Sequence, residues 1–332
     1  MLIAFGKFEA MFDHLRAAEI LAAALEDQHR LGWVSAYLSC YLSNTGDNDR
    51  AVETAQRALA IATASGDFAL EVMATFFLGL PYFSLGDYRQ AAHYHRRNVE
   101  ILTGDSLHER FGEPGLPAVF SRAYLAWGLA ELGAFAEGSA RAEEAMQIAE
   151  SVNQPFTLSP ACWGSGVLSL RKGDFPEAIV TLERTLDVCE TGDVQLVLPW
   201  AASALGYAYA LAGRLTQALP LLEQAVSKST AMKQMAYYPL WVAHLSEAYL
   251  LAGRLEEANQ LAGQALTLAR DLKQRGHEAY ALRLLGELGA RGDPTGAEHA
   301  ETSYRRARAL AEDLGMRPLV VRDVACFVRV AE

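Results

Sequence analysis

Gly206-Tyr207-Ala208-Tyr209-Ala210-Leu211-Ala212-Gly213-Arg214-Leu215-Thr216-Gln217-Ala218 is the stretch that decides how this chain folds. An alanine-rich apolar run ends at a glycine, a polar residue and a leucine follow, and a small residue stands five positions past the glycine. The pattern recurs at Gly46-Asp47-Asn48 with Ala51, Gly86-Asp87-Tyr88 with Ala91, and Gly133-Ala134-Phe135 with Gly138. It returns at Gly173-Asp174-Phe175 with Ala178 and at Gly253-Arg254-Leu255 with Ala258. From Gly46 onward the glycines are spaced by 40, 47, 40, 40 and 40 residues, and Gly6 lies another 40 upstream. A fixed period of this size marks an array of repeats.

Each glycine is flanked by segments whose small and apolar residues recur at steps of three and four, as in Ala51, Ala55, Ala58, Leu59 and Ala62. That spacing is helical, so the unit reads as helix, tight turn, helix. Glycine suits the turn because the end of the first helix needs a left-handed residue, and Asp47, Asp87 and Asp174 stand where they can cap the next helix. Seven positions before each turn glycine the residue is small: Ser39, Gly79, Ala126, Gly166, Gly206 and Ser246. Small residues there let paired helices approach closely. The expected fold is all-α, a right-handed α-solenoid of about sixteen antiparallel helices forming a single domain over 1–332. A projecting loop is expected at 103–117, where Gly104, Gly112, Pro114, Gly115 and Pro117 forbid a continuous helix. A wide turn is expected at 289–296 and a terminal cap helix at 318–331. The first helix, about Phe8 to Asp27, and the last each lack a partner. The chain is therefore expected to be a piece of a longer one, with terminal helices that could pair with a second copy.

Composition narrows the function classes. With 51% hydrophobic and 21% charged residues the chain has enough apolar material for a packed fold. A balance of 29 basic to 40 acidic residues, net −11, is the wrong sign for a nucleic-acid partner. The apolar opening Met1-Leu2-Ile3-Ala4-Phe5 ends at Gly6 and Lys7, too short for a signal segment or a membrane span. No membrane partner and a cytoplasmic location are expected. Cys40, Cys162, Cys189 and Cys326 lie far apart and make no C-x-x-C pair, so they read as core residues.

The units resemble tetratricopeptide repeats over essentially the whole chain, with a period of 40 in place of the family's common 34. A narrower resemblance is carried by Gly112 to Ala118, by Ser203-Ala204-Leu205-Gly206-Tyr207-Ala208-Tyr209-Ala210-Leu211, by Arg275 to Glu287 and by Ala311 to Leu319. These segments look like the C-terminal repeat region of bacterial multidomain proteins that join a class III adenylate or guanylate cyclase domain, an AAA-type ATPase domain and tetratricopeptide repeats. The resemblance implies a sensing or assembly role. It implies no activity for this chain, which has neither a G-x-x-x-x-G-K-[ST] phosphate loop nor the cyclase's metal-holding aspartate pair. After Pro318 the sequence departs from that pattern, with no further glycine-bearing unit.

Candidate chemistry is sparse. His93-Tyr94-His95 places two histidines on different helix faces, where metal ligands would stand four apart. Ser169-Leu170-Arg171-Lys172 matches S-x-x-K without the companion motifs of an acyl enzyme. Glu143-Glu144 and Glu256-Glu257 are sequence neighbours that do not face each other on a helix. No catalytic residue, metal or cofactor is expected.

The family resemblance implies that first helices line the concave wall, with exposed positions 13, 10, 6 and 3 residues before the turn glycine. Here those positions hold Trp33, Met73, Phe76, Phe83, Phe120, Trp127, Trp163, Trp200, Tyr207 and Glu247, with no Lys or Arg. An open aromatic stripe would anchor an apolar peptide or helix. The same rings packed between neighbouring first helices would simply be core. Solvent exposure separates the two. The leading expectation is a non-catalytic interaction scaffold, the regulatory repeat region of a cyclase and ATPase signalling protein, whose guest is a protein, a peptide or those missing domains. Alternatives are a repeat domain that senses a small molecule or peptide, and a self-association module.

Overall fold

The computed structural model describes residues 2–291 and 297–321. Among them are fifteen α-helices and no strand. In order these are α1 (Phe8–Ala24), α2 (Gln28–Thr45), α3 (Asn48–Ser65), α4 (Phe68–Leu85), α5 (Tyr88–Ile101), α6 (Pro117–Glu131), α7 (Phe135–Val152) and α8 (Pro155–Lys172). There follow α9 (Phe175–Thr191), α10 (Leu198–Leu211), α11 (Leu215–Met232), α12 (Tyr238–Leu251), α13 (Leu255–Asp271), α14 (Arg275–Arg291) and α15 (Ala297–Leu314). A further helical stretch covers 317–321. The expected wide turn is corrected at its start, since α14 runs through Gly289 to Arg291, and 292–296 lie outside the described residues. The cap helix beyond residue 321 and Cys326 lie outside them too.

Each turn glycine, from Gly6 to Gly253, has positive φ and so closes the corner from first to second helix. Of the three aspartates expected to cap, Asp87 and Asp174 accept from the Gln90 and Glu177 amides at 3.1 and 3.3 Å. Asp47 instead holds Arg50 at 3.0 Å. Twenty residues after every turn glycine but Gly86, which the inserted segment follows, stands a second left-handed corner that sequence reasoning did not find: Glu26, Gly66, Asn153, Asp193, Lys233 and Lys273. Outside the unit that carries the insertion, each helix therefore runs from one left-handed corner to the next.

Second helices α3, α9, α11 and α13 bury one narrow stripe at steps of four, three and four. Ala258, Ala262, Ala265 and Ala269 form it in α13, and Ala178, Leu182, Thr185 and Cys189 in α9. The small positions of the first helices receive this stripe. A Cβ on Gly166 would fall 2.6 Å from Leu182, and one on Gly206 2.8 Å from Leu222. Where serine stands, its hydroxyl bonds across: Ser39 Oγ donates to the Ala51 carbonyl at 2.8 Å. First helices are buried almost all round, including α4, the one described helix long and apolar enough to cross a membrane, which serves as a core helix.

The solenoid winds until one superhelical turn rests on the next. Glu9 pairs with Lys233 and Asp49 with Lys273, and Arg89 Nη1 donates to the Asp313 carbonyl at 3.4 Å; each contact spans 224 residues. Main chain joins main chain where the Met235 amide donates to the Asn44 carbonyl at 2.7 Å and the Leu196 amide to the Ala4 carbonyl at 3.2 Å. Of the inserted segment, residues 103–110 are mostly exposed, whereas the part that follows turns inward. Phe111 lies 5.9 Å from Phe68 edge to face, Leu116 is buried, and Glu113 reaches an inner cavity.

Candidate functional site

Because the superhelix closes on itself, side chains from opposite walls meet inside it. The nine candidate residues, together with Met73, therefore do not form an open groove. Met73, Phe76, Phe83, Phe120, Trp127, Trp163, Trp200, Tyr207 and Glu247 are all buried, and Trp33, half-buried, stacks near Tyr37 at 6.1 Å. The expectation of an exposed aromatic stripe is corrected to a filled lumen. The rings also do more than separate neighbouring first helices. Trp127 packs on Phe83 at 3.9 Å and Trp163 at 4.7 Å, Trp163 on Trp200 at 5.3 Å, and Tyr237 closes on Trp127 at 5.0 Å and Trp200 at 5.9 Å. Tyr237 comes from the segment before α12 and meets the Tyr124 hydroxyl at 3.3 Å across 113 residues.

Phe76, Phe120 and Trp200 border an apolar cavity of about 40 Å³ near this aromatic centre, with Ile3, Leu196 and Glu113 also on its wall. Two polar atoms on the wall have no hydrogen-bond partner among the described residues: Trp200 Nε1 and Glu113 Oε1. Burial raises the Glu113 carboxyl above the usual carboxylate range. Buried donors and acceptors are almost always paired, so an unpaired indole N–H and an unpaired carboxyl oxygen on the wall of one cavity mark a place where a guest can supply missing partners.

Next to the rings lies a polar centre that the sequence did not reveal. The Glu131 carboxylate accepts from Trp127 Nε1 at 2.9 Å, from Arg171 Nε at 2.7 Å and from the Tyr280 hydroxyl at 2.7 Å. Arg171 also lies over the Tyr280 ring at 5.1 Å, and the neighbouring carboxylate and phenols hold its guanidinium firmly charged. The same logic repeats nearby, where Tyr207 donates to Glu247 at 2.9 Å and Arg283 bridges Glu247 and Glu287. Glu247, the single charged residue in the candidate set, is thus a partner of Arg283. Arg171 and Arg283 fall outside the positions chosen by spacing, so the sequence predicted a lumen free of cations where two are present.

The remaining motifs resolve into structural roles. His95 is buried at the stripe position that Leu182 and Leu222 occupy in other repeats, its ring against Gly79, while His93 is exposed. Burial lowers the His95 pKa to about 3, and both ring nitrogens lack a partner among the described residues. Ser169 is half-buried near the end of α8 and Lys172 is exposed beside Gly173. Glu144 holds Arg122 and Arg141, Glu257 holds Arg254, and Glu143 and Glu256 face solvent. No group of three metal-ligating side chains occurs among the described residues.

No protein-family model matches the sequence, and no curated protein sequence matches it. Solved structures do match. The chain is similar to a Rap protein complexed with competence and sporulation factor, at 16% identity and TM-score 0.67, over 86% of this chain and 76% of that one. It is similar to NprR in complex with its cognate peptide NprX, at 14% identity and TM-score 0.58, over 93% and 92%. A third is a signal transduction ATPase with numerous domains, carrying a tetratricopeptide repeat sensor, from Pyrococcus horikoshii, at 12% identity and TM-score 0.53. That match covers 98% of this chain and 52% of the other. At these identities the likeness speaks to fold, and the fold is an α-solenoid of tetratricopeptide type.

Proposed function

We propose that this chain is a non-catalytic repeat module that holds a short apolar peptide segment in its lumen at the wall formed by Phe76, Phe120 and Trp200. The observation that carries the reading is the unpartnered Trp200 N–H on the wall of a mainly apolar cavity. A peptide carbonyl is the acceptor that this donor lacks, and an apolar side chain fits the space beside it. A whole helix is about 10–12 Å across with its side chains, too wide for a lumen whose opposing rings stand 5.0 and 5.9 Å apart. An extended segment that inserts one small side chain suits the closed form. The fold shared with Rap and NprR structures, whose crystals contain competence and sporulation factor and a cognate peptide, supports this ligand class.

The sequence resemblance to cyclase and ATPase proteins, together with the fold shared with a repeat sensor of a signalling ATPase, supports a regulatory role in such a polypeptide. Self-association is a second reading, favoured by the exposure of Ile20 and Leu21 on α1 and of Leu25 at its end. Light scattering at two concentrations separates it from a monomeric scaffold.

Selection of short peptides from a random display library on the immobilised full chain tests the main reading. Enriched apolar sequences are expected to bind Trp200→Phe about fivefold to tenfold more weakly, because the ring stays and only the N–H is lost. Equal affinity for the variant and the parent, or no enrichment at all, rejects the site.

A further inference from the structure

A second cavity, of about 320 Å³, opens between the ends of α8 and α10 on one side and α14 with the 317–321 stretch on the other. Arg171 stands on its wall with 7% of its side chain exposed. Its Nε is spent on Glu131, but no described residue accepts a hydrogen bond from Nη1 or Nη2. A guanidinium carries five N–H donors in a flat fork, and the outer pair of nitrogens is the half that grips a carboxylate in two parallel bonds. Lys172, also on the wall, has no ion pair among the described residues. Arg171 and Lys172 together carry two positive charges against one negative charge on Glu131, so the site has one cation in excess. The rest of the wall is apolar, with Phe175, Leu211, Leu319 and Val321.

We infer that this cavity binds an amphipathic carboxylate, its head on the outer nitrogens of Arg171 and its apolar body against Phe175, Leu211 and Leu319. The outer nitrogens open to the cavity, and an anion that completes the fork adds two charge-assisted bonds while bringing the local charge to zero. A neutral apolar ligand satisfies the wall but not the fork. A fully polar anion does the reverse. Two sources offer the shared chemistry, a fatty acid and the free C-terminus of an apolar peptide. The site is separate from the Trp200 cavity. One chain of packed side chains runs between the two: Trp200 on Trp163, Trp163 on Trp127, Trp127 to Glu131 and Glu131 to Arg171.

Titration calorimetry on the full chain decides the matter, with four probes: decanoate, decanol, a tripeptide of leucine and phenylalanine with a free carboxylate, and its C-terminal amide. At least one carboxylate is expected to bind, and about tenfold or more tighter than its neutral counterpart, as charge-assisted bonds require. The stronger of the two acids identifies the source. Lys172→Glu, a change on an exposed side chain, is expected to weaken that binding by about tenfold, and raised salt to weaken it further. Arg171→Lys, which keeps the charge facing Glu131 but loses the fork, is expected to abolish the preference for acid over neutral probe. Trp200→Phe is expected to leave it unchanged, which separates this site from the proposed peptide site. Equal binding of acid and neutral probes overturns the inference. So does the absence of any binding up to about 1 mM, or a preference for acid that survives both Lys172→Glu and Arg171→Lys.

Discussion

The Tyr280 hydroxyl donates to Glu131 Oε2 at 2.7 Å although 149 residues separate the two. Tyr280 belongs to α14 and Glu131 to the last turn of α6, so the bond spans the lumen between distant repeats. Glu131 is 2% exposed, and three donors including Arg171 surround it. Removing a donor and removing the charge have different costs. Tyr280→Phe is expected to lower stability by about 1.5–3 kcal/mol, the value of one bond to a charged group. Glu131→Ala strands the Arg171 cation and is expected to cost about 3–5 kcal/mol. Urea denaturation followed by tryptophan fluorescence measures both, and similar losses for the two variants contradict this account of the centre.

Acid stability follows from two histidines. Burial holds His95 at a pKa of about 3, and burial with the nearby Arg171 cation does the same to His277. Their unfolded value is about 6.5. Both folded values are lowered, so the unfolded chain takes up the protons first. Their full contribution is present above about pH 6.5 and is lost as pH falls toward 3. Each histidine contributes a slope of about 1.4 kcal/mol per pH unit in that window, so the pair contributes about 2.7. His95→Leu places in the fifth helix the residue type that Leu182 and Leu222 supply at the same position against Gly166 and Gly206. This variant is expected to fold, to lose about half of the pair's slope and to unfold at lower pH. An unchanged acid midpoint refutes the assignment.

What the sequence revealed and what it hid divide along a physical line. The turn glycines were legible because positive φ selects glycine, and the small positions were legible because Gly79, Gly166 and Gly206 leave room for His95, Leu182 and Leu222. The second corner was not, because Asn153, Asp193, Lys233 and Lys273 adopt the same left-handed conformation without a residue type that announces it. Closure of the superhelix was hidden for another reason. It is the sum of small rotations over many repeats, and the contacts that express it, such as Asp49 with Lys273, span 224 residues. With closure unseen, the aromatic positions read as one wall of an open groove. Arg171 escaped for the same cause: two residues before Gly173, it borders an open wall but reaches the interior of a closed one.

Closure itself is testable through a pair of glycines. Gly86 and Gly213 are equivalent turn residues with φ of +86° and +77°. A Cβ on Gly213 would meet nothing within 4 Å, whereas one on Gly86 would stand 2.6 Å from the Gly276 backbone nitrogen on the next superhelical turn. Alanine at either position bears the left-handed penalty of about 1–2 kcal/mol. Only at Gly86 does it also wedge two main chains apart, and neither main chain can rotate out of the way as a side-chain tip could. Gly213→Ala is expected to lose stability by the penalty alone and to keep its dimensions. Gly86→Ala is expected to lose about 1–3 kcal/mol more and to show a larger radius of gyration by small-angle X-ray scattering, with helix content unchanged by circular dichroism. The ion pairs on this seam are exposed and weak, so screening them with about 1 M salt should not reproduce the expansion. If salt alone opens the parent chain, charge rather than close backbone packing holds the superhelix shut.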